Sequence, residues 1–247
     1  MAHRGAPCAA HGFADRRGPA KLAFPVSCDT LLNMLLYYVH DPMCSWCWAF
    51  RPVWAALREA LQEQAPGLRV VNLLGGLAPD SEAPMPQALQ AEIRGHWETI
   101  QRVVPETEFN FDFWTRCVPR RSTFPACRAV IAAGMQADGE EAARLEEQMI
   151  LAIQQAYYLQ ARNPSDDALL AQLAGDIGLS TQRFISDLHG QAAHSRLIRE
   201  IALGRRIGAR GFPGLIAEHH GEYHAVPVDY RHAEPMLQRI LSLQAAV

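Results

Sequence analysis

From Met34 onward the chain alternates short apolar runs with longer stretches in which apolar side chains recur every third or fourth position. Met34-Leu-Leu-Tyr-Tyr-Val-His40 is a continuous run of strand length, closed by Asp41-Pro42. Proline has no amide hydrogen and restricts the residue before it, so the run stops there. A helix is predicted to begin near Cys44. Phe50, Val53, Trp54, Leu57 and Leu61 fall at i, i+3, i+4, i+7 and i+11 and make one buried stripe. Pro66-Gly67 ends that helix, Leu68–Leu74 reads as the next strand, and Gly75-Gly76 closes it. Strand, helix and strand within so short a span predict a βαβ unit.

Beyond Pro79 the pattern changes to helical. Pro84, Pro86, Pro105 and Pro119 punctuate the stretch, and residues 140–160 place Leu145, Met149, Ile153 and Ala156 at helical spacing. Asn163-Pro164-Ser165 predicts a break with Ser165 as N-cap of a helix carrying Leu169, Leu170 and Leu173, which Gly178 ends. Phe184–Ile207 reads as one further helix. Strand character returns at Pro213–Ala217, turns at His220-Gly221 and resumes near Tyr223–Val228. A last helix turns Leu237, Ile240 and Leu241 inward. β-rich ends around an α-rich middle predict one α/β domain: a core formed by residues 34–78 and 209–247, with a helical insertion over 79–208.

Residues 1–33 mix Ala, Gly, Pro, Arg and His without period, and a disordered extension is expected there. Neither Arg16-Arg17 nor Ser27-Cys28 is joined to the apolar stretch that an export signal needs, so a cytoplasmic protein is expected. The 247 residues are 49% hydrophobic and 20% charged, with a formal charge of −3. That balance points away from nucleic-acid and acidic-membrane surfaces. No run approaches the roughly 18 apolar residues of a membrane span.

The six cysteines are too few for a disulfide scaffold, but two share a turn. Cys44-Ser-Trp-Cys47 lies at a predicted strand-to-helix junction, where free amide N–H groups and the helix dipole favour a thiolate on Cys44. The thiolate is the attacking species in disulfide exchange. Cys47, one turn on and shielded by the helix, can resolve a mixed disulfide. A structural zinc would need four ligands, and Cys117 and Cys127 are not spaced as a second Cys pair, so no metal is expected. Cys117 and Cys127 read as small buried hydrophobes, with a second redox pair as the alternative. His219, His220 and His224 surround a turn on alternating strand faces and do not suggest converging ligands. Arg120-Arg121 reads as a solvated charged turn, with carboxylate binding as the alternative. Trp48 is expected in the core and Trp46 at the surface as an apolar substrate platform. His40 and Asp41 are the acid–base groups nearest Cys47 in sequence.

These motifs are joined by Pro52 five residues past Cys47 and by Gly211-Phe212-Pro213 opening a late strand. Together they resemble the DsbA-like thioredoxin superfamily, and its FrnE-like, protein-disulfide-isomerase-type branch in particular. Pro119–Arg128 and Ala156–Asn163 are similar to insertion motifs of that branch. The resemblance implies a thioredoxin-like fold with a large helical insertion, Cys44 as nucleophile and Cys47 as resolving cysteine. It also implies a cis-proline at Pro213 that turns the Phe212 backbone toward Cys44 for substrate. Bulky Phe212 and the Ser45-Trp46 dipeptide depart from the better-known versions, so the redox direction is left open. The expected substrates are thiol- or disulfide-containing proteins or small molecules. No bound cofactor is expected, with glutathione as a candidate redox partner. Two other readings share the fold: a glutathione-dependent isomerase or transferase, and a non-catalytic peptide-binding module.

Overall fold

The computed structural model describes residues 34–245; the predicted extension over 1–33, with Cys8 and Cys28, lies outside them. The first half of the core is β1 (Leu35–His40), α1 (Ser45–Gln64) and β2 (Arg69–Leu74). Then follow α2 (Gln87–Val103), α3 (Phe113–Arg116), α4 (Phe124–Gly134), α5 (Gly139–Tyr158), α6 (Asp167–Asp176), α7 (Thr181–Leu188) and α8 (Gln191–Arg206). The chain closes with β3 (Gly214–His219), β4 (Glu222–Val226) and α9 (Glu234–Ala245).

The sheet runs β2-β1-β3-β4. β1 pairs parallel to β2 and antiparallel to β3, so strands from opposite ends of the chain lie side by side. Alternation along β1 separates two packing layers. Leu36 and Tyr38 pack with Phe50, Trp54 and Leu57 of α1 and Leu237 and Ile240 of α9. Tyr37 and Val39 face the other way, toward Leu203 and Ile207 around the end of α8. Phe50 and Leu57 are wholly excluded from water, each worth about 2–3 kcal/mol of transfer free energy.

The helices between β2 and β3 have a core of their own. α4 is apolar almost all round, and Ala126, Cys127, Ala129, Val130, Ile131, Ala132 and Ala133 are buried, as expected of a helix enclosed by others. Met149, Ile153 and Tyr157 of α5, Leu170 of α6, Phe184 of α7 and Leu197 of α8 join it.

Several local expectations are corrected. The helix predicted over Phe184–Ile207 is two, α7 and α8, separated at His189-Gly190. Ser180 caps α7, accepting from the Arg183 amide. Ser165 is not a cap: Asp166 occupies that position, and the Ser165 hydroxyl donates to the Ser122 carbonyl at 2.7 Å. Val53 and Leu241 are half-buried, and the last strand stops at Val226. Arg120 is no solvated turn residue. It ties Glu82 (2.7 Å), Asp166 (2.6 Å) and the Ser165 carbonyl together and so joins three loops.

Candidate functional site

The strand β1 and the helix α1 meet in a tight turn whose geometry is set by Asp41. Its carboxylate Oδ1 accepts the Met43 amide at 2.8 Å, and its backbone carbonyl accepts the Cys44 amide at 3.0 Å. Cys44 is the N-cap of α1 in extended conformation, and its carbonyl accepts the first helical bond, from Trp48, at 3.1 Å. The Cys44 thiol therefore stands at the helix N-terminus, where first-turn amides have no intrahelical partner. Cys47 lies one turn on and is only 1% exposed. Both are free thiols here.

Across from them is the loop before β3. The Phe212–Pro213 peptide bond is cis, and the Phe212 carbonyl accepts the Cys44 Sγ hydrogen at 3.5 Å. Residues 168 apart in sequence thus meet at one sulfur. The bulk of Phe212 is accommodated by Gly75, where an added Cβ would lie 1.9 Å from the Phe212 ring. Gly76 needs the absence of a side chain twice over, with a φ of +60° and Ile201 2.4 Å from an added Cβ.

Asp41 is fully buried and meets four donors. Oδ2 accepts from the Leu77 amide (2.7 Å), the Thr123 hydroxyl (2.7 Å) and the Cys127 thiol (3.5 Å), in addition to Met43 on Oδ1. Burial raises its pKa while these hydrogen bonds hold it down. The hub fastens the turn before Cys44 to the start of α4. Cys127 is thereby a hydrogen-bonded buried thiol, and Cys117 donates separately to the Ala161 carbonyl at 3.1 Å.

Burial pushes the Cys47 thiol well above its ordinary range, and the neighbouring Cys44 adds to this. His40 is buried too, stacked on Tyr38 at 4.7 Å, and burial with nearby Arg51 lowers its pKa from 6.5 to about 4. A histidine with a depressed folded pKa binds fewer protons than in the unfolded chain. Stability is therefore full above 6.5 and falls as pH drops through the window toward 4, by about 3 kcal/mol in total. Urea unfolding across that window should show this loss, and His40→Phe, which keeps a stacked ring, should flatten it. An unchanged slope in the variant would assign the acid sensitivity elsewhere.

Trp46 is half-buried with its ring 4.9 Å from Tyr230. Trp48 is also half-buried: it stacks on Tyr158 at 5.6 Å, and its Nε1 donates to the Glu108 carbonyl at 3.1 Å. The cysteines, Trp46 and the Phe212-Pro213 loop are thus drawn to one end of the sheet. His219 and His220 lie with tilted rings 4.1 Å apart at the β3–β4 turn, away from the sulfurs. Among the described residues, no three His, Cys, Asp or Glu side chains group as a metal site.

A family model for a DSBA-like thioredoxin domain matches residues 36–230. The chain belongs to this family. Among solved structures, the DSBA-like chain is similar to a "putative protein disulfide isomerase" from Nitrosomonas europaea. That match has 28% identity and a TM-score of 0.69, over 87% of this chain and 99% of the other. It is also similar to the cytosolic disulfide reductase DsbM from Pseudomonas aeruginosa, at 25% identity and TM-score 0.61, over 85% and 95% of the two chains. DsbM has also been solved with GSH. A probable DsbA oxidoreductase from Streptomyces coelicolor shares the fold at 18% identity and TM-score 0.63, over 87% and 92%. Among curated proteins, none matches the chain. No helix among the described residues is long and apolar enough to cross a membrane.

Sequence reasoning missed three contributors to the DSBA-like site. Tyr38 was visible only as strand, although alternation puts it on the same face as Leu36, toward α1. The partnership of Asp41 with Thr123 spans 82 residues and leaves no local signal. Tyr230, against Trp46 and Phe50, lies in a stretch without period.

Proposed function

We propose that this protein exchanges a Cys44–Cys47 dithiol/disulfide with thiol- or disulfide-containing substrates through a mixed disulfide on Cys44. The observation that carries the reading is the placement of Cys44 at the N-cap of α1 and 3.5 Å from the Phe212 carbonyl, with Cys47 buried behind it. In the reductive direction, the Cys44 thiolate attacks a substrate disulfide, forms one S–S bond and expels one thiolate. Cys47 then loses its proton and attacks the Cys44 sulfur, which releases the second substrate thiolate and leaves the Cys44–Cys47 disulfide. Two molecules of glutathione, leaving as glutathione disulfide, restore the dithiol. Phe212 and Pro213 offer backbone to an extended substrate, and Trp46 an apolar flank.

The resemblance to a cytosolic disulfide reductase at 25% identity supports the reductive direction, glutathione as partner and a cytoplasmic setting. Retention of both cysteines favours exchange over a glutathione transferase, which needs no resolving thiol. The test is to equilibrate the protein in graded glutathione buffers and count free thiols by mass tagging. A reductase should show a potential nearer about −270 mV than about −120 mV. A value near the latter would reverse the direction. If the pair forms no disulfide at any poise, the reading falls.

A further inference from the structure

Resolution of the mixed disulfide requires a buried thiol to give up a proton, and the obvious acid beside it is occupied. The Asp41 carboxylate already meets four donors, and it does not line the space behind Cys47. That space is a polar cavity of about 160 Å³, bounded by Cys47 together with Tyr38, His40, Arg51, Asn72 and Gln154. At roughly 30 Å³ per water it has room for a short chain of them. Its outer rim carries Arg58 and Glu147, an ion pair whose side chains are 36% and 40% exposed, so the cavity reaches the surface. Asn72 Oδ1 is buried in its wall with no protein partner, and Gln154 Oε1 accepts only a long 3.4 Å bond from Arg51. These are the acceptors that a water file needs.

Tyr38 stands where this file meets the thiol. Its ring is held between His40 at 4.7 Å and Trp54 at 4.3 Å, and it lines the same cavity as Cys47. We infer that the Tyr38 hydroxyl and the polar cavity behind it form the proton exit of Cys47 during resolution. The inference rests on the exchange reaction above. In the step, the Cys47 S–H bond breaks, and its proton passes to the Tyr38 oxygen as the Tyr38 proton moves on to cavity water and solvent. The sulfur electron pair forms the bond to Cys44, and the substrate leaves as thiolate. Tyr38 is neutral before and after, in keeping with a phenol that burial holds protonated. The groups facing it are His40, neutral through most of the pH range, Arg51, Cys44 and Cys47, with the Arg58–Glu147 pair at the cavity rim.

The experiment mixes reduced full-length protein with glutathione disulfide in single turnover, quenches with acid and weighs the products. Appearance of protein bearing one glutathionyl group reports attack, and its decay to the internal disulfide reports resolution. Tyr38→Phe should lower the resolution rate relative to the attack rate by about a hundredfold. Its resolution should also depend more steeply on pH, as hydroxide must reach the thiol directly. Asn72→Leu, on an edge strand, should shift both readouts in the same direction by filling the cavity. If both variants resolve within about twofold of the parent, with its pH profile, the proton exit lies elsewhere. If the parent never acquires a glutathionyl group, the exchange reaction itself fails and the relay with it.

Discussion

Cys47→Ser is expected to turn the protein into a stoichiometric trap. Offered glutathione disulfide, it should accumulate as a species one glutathionyl group heavier and cease turnover, because the attacked sulfur remains at the N-cap of α1 while nothing behind it can displace the substrate. Cys44→Ser should lose exchange by about 10³-fold or more, since a serine hydroxyl in the same position is not ionised and forms no disulfide. The contrast between the variants carries the information. Cys47 is 1% exposed and pushed toward its neutral form by burial, so it cannot take over as first attacker. Mass spectrometry of intact protein after timed exposure reads both outcomes. Full activity in Cys44→Ser, or trapping on Cys47, would overturn the assignment.

The second large effect is on stability. Trp97 of α2 is fully buried, with Phe109 stacked at 4.8 Å, Trp114 at 5.0 Å and Tyr157 and Tyr158 both at 5.5 Å. Trp97→Ala should cost about 3–5 kcal/mol, the usual loss when a large aromatic leaves a cavity in a packed core. The midpoint of urea unfolding measures it. Trp97→Phe should cost much less, because the indole Nε1 is buried without a partner and its removal relieves that penalty. Since Tyr158 also stacks on Trp48, the cluster buttresses the outer side of α1. A loss below about 1 kcal/mol in Trp97→Ala would mean that the cluster closes over the gap.

The sequence was most readable where hydrophobic period and chain punctuation agree. β1, α1 and β2 lie within a residue or two of their predicted limits, because Asp41-Pro42, Pro66-Gly67 and Gly75-Gly76 are strong stops beside clear apolar patterns. The place of Cys44-Ser-Trp-Cys47 at the strand-to-helix junction was legible for the same reason: it is local to one turn. What stayed hidden is held by distant partners. Arg120 reaches Asp166 across 46 residues, and Cys127 reaches Asp41 across 86. Propensity at either end says nothing of the other. The break at His189-Gly190 was overlooked because the apolar pattern continues through it and only the glycine interrupts. Phe212 looked anomalous as a side chain alone, and Gly75 accounts for it once β2 lies alongside.

The strand order has a consequence for how the molecule is made. β1 leaves the ribosome before helices α2–α8, yet its antiparallel neighbour β3 follows only after them. Until Gly214–His219 emerges, one edge of β1 lacks its partner, and the two thiols are already present without the Phe212 loop that faces them. The helices of the insertion make mostly nearer contacts and can pack while the sheet waits. A nascent chain therefore carries both thiols without their cover while those helices are made. Completing β3 between β1 and β4 then joins the two parts of the sheet and finishes the sulfur pocket in one event.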